Sequence, residues 1–286
     1  MQPTSYGTFD RWNAGAITGA ADAGVRQLAT LLEQRGKNED QIAMRAACLD
    51  LLQISPGERV LDVGCGTGVV TRDVARRVGP TGHVVGLDPG PVMLEVAREL
   101  AQQEGIAGQM ELRVGDIAAL PFDDATFDVV LAITVLSHAA GGQGAVPGEQ
   151  AVAELVRVVR PGGRLGILDL DGDAWIVSHP DRELTRRIVA AGSDYAIGDS
   201  WLMRRMPGLL VAAGLLEIGS RAYTPLERDP AGFYARMCEI RAEAALKAGA
   251  ISDEEWRRWI ATLHAEQAAG RYLCGQAQLF AWGTRP

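Results

Sequence analysis

Lysine is nearly absent. Lys37 and Lys247 are the only two in 286 residues, and arginine carries the rest of the positive charge. That bias reads as genome composition rather than chemistry. Basic side chains number 28 against 36 acidic ones, a net charge of −8. This excludes a general nucleic-acid binder, because such binding rests on neutralising phosphates with Lys and Arg; a local basic patch stays compatible with the total. Cysteine is scarce too. Cys48, Cys65, Cys238 and Cys274 form no CxxC pair and support neither a zinc site nor a disulfide framework. They are expected as free buried thiols in a reducing compartment. No apolar stretch approaches the ~18 residues of a membrane span, and the segment MQPTSYGTFDRW has no signal-peptide run. The expectation is a cytoplasmic protein with no membrane partner. No HxxxH pattern or carboxylate cluster has metal-ligand spacing, so no metal is expected. Repeats and low-complexity segments are absent as well.

What is present suits a large globular domain, or a domain with a lid: 47% hydrophobic and 22% charged residues. Residues 1–55 read as an N-terminal helical lid. AGVRQLATLLEQRG and NEDQIAMRAACLDLLQI carry apolar residues at helical spacing, the second with acidic residues in its first turn. Over 56–171 strand and helix alternate. Apolar runs at RVLDV, HVVGLD, MELRV, FDVVLAI and RLGILDL are separated by helical patterns at TRDVARRV, PVMLEVARELAQQE and EQAVAELVRVVR. That rhythm predicts an α/β fold, a doubly wound parallel sheet covered on both faces. Residues 172–210 read as a helical insertion capping the substrate side. Residues 211–286 read as the remainder of the sheet with inserted helices, including a Ser252/Glu255 capping box and a last strand at QAQLFAWGT.

The densest signal is VLDVGCGTG, residues 60–68. Glycines at positions 64, 66 and 68 permit positive φ and let a ligand touch the backbone. The dinucleotide fingerprint is GxGxxG, and the phosphate loop of nucleotide hydrolases needs a Lys after its last Gly. The spacing here is GxGxG with no Lys, so neither phosphate motif is met. The next strand ends in Asp88, at the edge where doubly wound sheets bind ligands. A carboxylate there can accept both hydroxyls of a ribose; otherwise it caps the helix that follows. After the third strand comes GDIAALPF, where Asp116 could take an adenine amino proton and Ile117 could flank the ring. Alone, that Gly-Asp pair is only a turn.

Taken in order, VLDVGCGTG, VVGLDPG, VGDIAALPF, FDVVLAITVLSH and ELVRVVRPGGRLGILD resemble the class I S-adenosylmethionine-dependent methyltransferases. The likeness is nearest to the branch holding the ubiquinone/menaquinone-biosynthesis C-methyltransferases and many small-molecule methyltransferases. It covers residues 40–171. It implies a Rossmann-like sheet of seven mostly parallel strands, the last antiparallel, and S-adenosyl-L-methionine as cofactor. By position, Gly64, Cys65 and Gly66 would line the methionyl moiety, and Asp62 would help hold its ammonium end. Asp88 would bind the ribose, with Pro89 and Met93 beside it. Asp116 and Ile117 would hold the adenine, and Ile133 and Thr134 would lie near the sulfonium. Arg45 would reach toward the cofactor carboxylate.

Methyl transfer from a sulfonium is an in-line displacement needing mainly proximity and alignment. A base matters when the acceptor is a hydroxyl. His138, just past the fourth strand, is the histidine placed to serve; Asp169 or Asp171, ending the fifth strand, could orient it or the substrate. His179 is a weaker candidate, while His83 and His264 read as structural or solvent-facing. The acceptor site should come from outside the family core: Tyr6, Phe9 and Trp12, then Trp175, Tyr195, Trp201 and Met203, with Phe233, Tyr234 and Met237 joining. Aromatic and Met side chains suit an enclosed apolar site. The expected partner is a small-molecule acceptor of specialised metabolism, apolar or aromatic, with O-methylation ahead of C- or N-methylation; a homodimer is left open. The alternatives are a non-catalytic S-adenosylmethionine-binding protein and a nicotinamide-dependent oxidoreductase, which would need the missing GxGxxG. RNA or protein methylation is disfavoured by the acidic charge and by AITVLSH where an NPPY-type motif would stand.

Overall fold

A computed structural model describes residues 22–139, 145–195 and 198–286. Tyr6, Phe9 and Trp12 lie outside them. Helix α1 (Asp22–Lys37) leads into α2 (Glu39–Leu51), whose N-cap Asn38 accepts from the Gln41 amide at 3.0 Å. The alternating core follows as β1 (Arg59–Val63), α3 (Val69–Val78), β2 (His83–Asp88), α4 (Pro91–Gln103), β3 (Met110–Val114), β4 (Phe127–Ile133), α5 (Leu136–Ala139), α6 (Gly148–Val158) and β5 (Val159–Val177). Pro91 opens α4, where its missing N–H is not needed. The rest is α7 (Arg182–Tyr195), α8 (Leu202–Ala212), β6 (Leu216–Tyr223), the two-residue β7 (Leu226–Glu227), α9 (Phe233–Lys247), α10 (Asp253–Ala268) and β8 (Cys274–Thr284). The capping box of α10 forms as expected, with Ser252 and Glu255 reciprocally bonded.

The sheet order is β3-β2-β1-β4-β5-β8-β6, with β7 paired to β8. Strands β1 to β5 are parallel; β8 runs antiparallel between β5 and β6. The doubly wound Rossmann-like sheet with an antiparallel last strand is therefore present, and β7 adds an eighth strand to the expected seven. Helices α5, α6 and α8 cover one face, and α2 and α3 the other. Continuous burial of RVLDV beyond Arg59 and of HVVGLD beyond His83 fits strands packed on both sides. Two features go beyond the sequence reading. Strand β5 runs through the boundary expected at 171: after an irregularity it resumes its ladder, Trp175 opposite Gln276, so Trp175 stands on the sheet and not in a helical insertion. Helices α7, α9 and α10 form a second core, a cap that packs on Trp175 of β5 and Cys274 of β8 together with Tyr272. All four cysteines are buried free thiols. Among the described residues no helix is long and apolar enough to cross a membrane, and no side-chain group has the makings of a metal site.

Candidate functional site

The loop after β1 hangs from β2. The Gly64 and Cys65 amides donate to the Leu87 carbonyl at 2.7 and 3.0 Å, and Gly64, Gly66 and Gly68 take φ of +69°, +53° and +76°. These are left-handed values that favour glycine. A Cβ at Gly64 would lie 2.4 Å from Val135 Cγ2. Space as well as conformation requires glycine there.

Asp88 closes β2 and is 5% exposed. Its two oxygens accept from the Gly66 amide at 2.9 Å and the Gly90 amide at 2.8 Å, so one carboxylate ties the loop to the start of α4. Burial pushes its pKa up to about 6, against the pull of those two amides. Deeper in β1, Asp62 accepts from the Thr71 hydroxyl at 2.6 Å. Burial pushes it up to about 7, and the nearby Asp88 charge adds to the rise. Two reluctant carboxylates beneath one loop form an electronegative floor suited to a cationic ligand.

The tips of β4 and β5 complete the edge. Thr134 has φ +60°, its amide donating to the Leu168 carbonyl at 2.6 Å. A β-branched residue in that region stores roughly 1–3 kcal/mol of strain, a frequent property of functional positions. Asp169 is fully buried and accepts from the Ser137 amide and hydroxyl at 3.0 and 2.7 Å, fixing the start of α5. Helix α1 lies over this edge. Its Val25 and Ala29 pack on Met93 of α4, and a Cβ at Gly66 would sit 3.2 Å from Leu32. Glu33 accepts from Thr67 at 2.6 Å and from Arg72 at 2.9 Å, and Arg35 donates to the Thr134 hydroxyl at 3.0 Å.

A methyltransferase-domain family model matches residues 60–163, from β1 into β5. An uncharacterized 37.1 kDa protein of transposon TN4556 from Streptomyces fradiae is 30% identical over 85% of this chain and 68% of its own length. The ubiquinone/menaquinone biosynthesis C-methyltransferase of Ectopseudomonas mendocina is 40% identical over 42% of this chain. Only 45% of that enzyme is matched, so the chain spans less than half of that relative's length. The crystal structure of a putative methyltransferase from Bacillus halodurans superposes with a TM-score of 0.56 at 21% identity, covering 85% of this chain and 98% of that one. The chain belongs to the class I S-adenosylmethionine-dependent methyltransferases.

For a methyltransferase of this class the donor set fits the cofactor. A buried carboxylate at the β2 tip suits a diol, glycine amides suit close backbone approach, and the Asp62 and Asp88 floor suits a cation. Gly64, Cys65, Gly66, Asp62, Asp88, Pro89, Ile133 and Thr134 are brought to one edge of the sheet. Cys65 offers only its backbone, because its sulfur is turned under the loop against Gly86. Asp116 is exposed beside them and accepts from the Ala118 amide at 2.8 Å. Ile117 is buried in the core cluster with Leu120 and Leu136.

Other expected residues sit among partners of their own. Arg45 is engaged by Asp73 at 3.1 Å and by the Gly36 carbonyl at 3.0 Å. Met93 faces α1. Asp171 is held by Arg204 through two bonds of 2.8 Å, which tie α8 to β5. His138 sits partly buried in α5, its amide donating to the Val135 carbonyl at 3.1 Å. His179 stacks on Trp259 at 4.9 Å, and its ring nitrogens meet the Trp259 carbonyl and the Asp181 amide. Tyr195 ends α7. Trp201 is 51% exposed with Arg204 over its ring.

Sequence reasoning missed Arg35. It lies over the Phe233 ring at 5.6 Å, and burial lowers its pKa. Nothing local marks it, since a basic residue in a last helical turn is ordinary. It also missed Gln41 and Gln278, whose amides both meet the Tyr234 hydroxyl, the second at 3.1 Å.

Proposed function

We propose that the chain transfers the methyl group of S-adenosylmethionine to a small, largely apolar or aromatic acceptor, with oxygen favoured over carbon or nitrogen as the accepting atom. The observation that carries this reading is a convergence. The glycine loop, the Asp88 carboxylate and the strained Thr134 share one sheet edge, and α1 reaches the loop through Glu33 and Thr134 through Arg35. In this reading Asp88 binds the ribose hydroxyls, Gly64 and Gly66 lie against the methionyl backbone, and Asp62 faces its ammonium group. Asp116 takes the adenine amino group. Arg35 takes the cofactor carboxylate, a role that Arg45 leaves open by pairing with Asp73.

The cofactor supplies an activated methyl group; the protein's part is to align the acceptor and exclude water. Phe233 and Tyr234, buried across from Arg35, offer the apolar wall for an acceptor approaching Thr134. His138 is the base for a hydroxyl acceptor. Asp171 is committed to Arg204 and serves as a strut between β5 and α8 rather than in proton transfer.

Calorimetric titration of the full chain with S-adenosylmethionine and, separately, NAD tests the class. Micromolar binding of the first and none of the second is expected, after which a labelled methyl group identifies acceptors. NAD binding without S-adenosylmethionine binding overturns the reading.

A further inference from the structure

Helix α9 places Tyr234, Cys238 and Arg241 on one stripe, the spacing that aligns side chains along a helix face. Arg241 is 6% exposed. Its guanidinium lies over the Trp175 ring at 4.3 Å, and a Cβ at Gly192 of α7 would sit 2.9 Å from its Nη1. That Nη1 has no acceptor. No ion pair to a carboxylate compensates it among the described residues, and the titratable group that bears on it is Cys238, uncharged as a thiol. Burial lowers the guanidinium to about 10, which leaves it cationic at neutral pH. The Trp175 indole Nε1, in the same cleft, also lacks an oxygen acceptor; beside it is the Cys238 sulfur, a weak one. The cleft's remaining polar side chain, Thr185, already accepts from Trp259 at 3.0 Å.

An unpaired buried cation is unfavourable unless a counter-charge arrives. Guanidinium donors match planar or tetrahedral anionic oxygens. The cation is also joined to the proposed transfer site. Trp175 meets Tyr234 edge to face at 5.8 Å, Tyr234 meets Phe233 at 5.3 Å, and Arg35 above Phe233 reaches Thr134.

We propose that Arg241 anchors an anionic group of the methyl acceptor, a carboxylate or phosphate, whose apolar body lies along Trp175, Tyr234 and Phe233 toward Thr134. Naming this ligand the methyl acceptor rests on the function proposed above; the anion site itself does not. As it stands the cleft is narrower than a water molecule, so the anion enters when α7 and α9 part.

The test uses the full chain with and without saturating S-adenosylhomocysteine. Calorimetry compares 3-phenylpropionate and phenethyl phosphate with neutral 3-phenylpropanamide. At least one anion is expected to bind about tenfold or more tightly than the amide, and Arg241→Gln to bring it to the amide's level. The tighter of the two anions tells carboxylate from phosphate. Equal affinities, no binding by either anion, or a preference that survives in Arg241→Gln overturns the proposal. Removing an uncompensated charge should leave the melting temperature unchanged or higher. A fall of several degrees, non-additive with Cys238→Ala, overturns it too, by showing that the thiol is the guanidinium's structural partner. Failure to bind S-adenosylhomocysteine counts against the methyltransferase reading alone, because the anion comparison is read without it.

Discussion

Arg35 Nη2 and the Thr134 hydroxyl, 3.0 Å apart, fasten α1 to the tip of β4. The guanidinium comes from the last turn of a helix that otherwise packs on α4, and it reaches a residue held at φ +60°. A half-buried cation and a strained backbone thus meet where the sheet edge opens. If Arg35 takes the cofactor carboxylate, Arg35→Met should weaken S-adenosylmethionine binding by about tenfold or more, the worth of one charge-assisted hydrogen bond. Its melting temperature should move little, since the guanidinium makes one hydrogen bond, to Thr134, and a 5.6 Å contact with the Phe233 ring on which the methionine side chain can still pack. Calorimetry checks this, and wild-type affinity in Arg35→Met removes the residue from that role.

Asp88 separates binding from folding less cleanly, because its oxygens also serve two backbone amides. Asp88→Ala leaves the Gly66 and Gly90 amides without their acceptor, at ~1–3 kcal/mol for each that stays dry. Asp88→Asn keeps one oxygen and gives up the ability to accept from both hydroxyls of a diol. The Asn variant should therefore fold and lose cofactor affinity by about ten- to a hundredfold. Urea denaturation reads the first property and calorimetry the second. An Asn variant with full affinity would end the ribose assignment.

Which of these groups the sequence betrays follows from how local each signal is. The run RVLDV, the GxGxG turn and an acid ending the next strand are local, so the loop and Asp88 were legible. So was the Ser252/Glu255 cap. Asp171-Gly172-Asp173 reads locally as a turn that ends a strand. The ladder of β5 resumes at Trp175 because β8, about a hundred residues on, supplies the partner, and long-range pairing leaves no local mark. The two arginines show the same limit. Arg35 and Arg45 both stand on amphipathic helices, and only the packing of α2 on α3 brings Arg45 to Asp73 and frees Arg35 for the edge. Met93 follows the same logic: a position beside the ribose tip is also the position that α1 covers.

The floor carboxylates make a pH prediction. Asp62 ionises near pH 4 in the unfolded chain and at about 7 when folded, because burial disfavours its charge. Between those values the folded state binds the extra proton. Its contribution is full below about pH 4 and is lost as pH rises through about 7, on the order of a few kcal/mol in all. Asp62→Asn cannot ionise and keeps an oxygen for the Thr71 hydroxyl. Relative to wild type, the variant should gain stability between pH 4.5 and pH 8, read from urea midpoints at both. A stability difference that does not change with pH would show that Asp62 is not the group responsible.

The glycine loop can be tested by its steric partner. A methyl group at Gly64 would lie 2.4 and 2.8 Å from the two γ-carbons of Val135, on a backbone at φ +69°. Gly64→Ala should therefore lose roughly 2–4 kcal/mol, the clash adding to the left-handed strain. Val135→Ala removes both γ-carbons, but its Cβ would still stand 3.1 Å from the new methyl. In the double variant about 1 kcal/mol or more of the loss should return, with the remainder marking the φ +69° strain that no neighbour can relieve. A double-mutant cycle from urea unfolding measures this coupling. Strict additivity would mean that Val135 moves aside at no cost, and the loop would then owe its glycine to conformation alone.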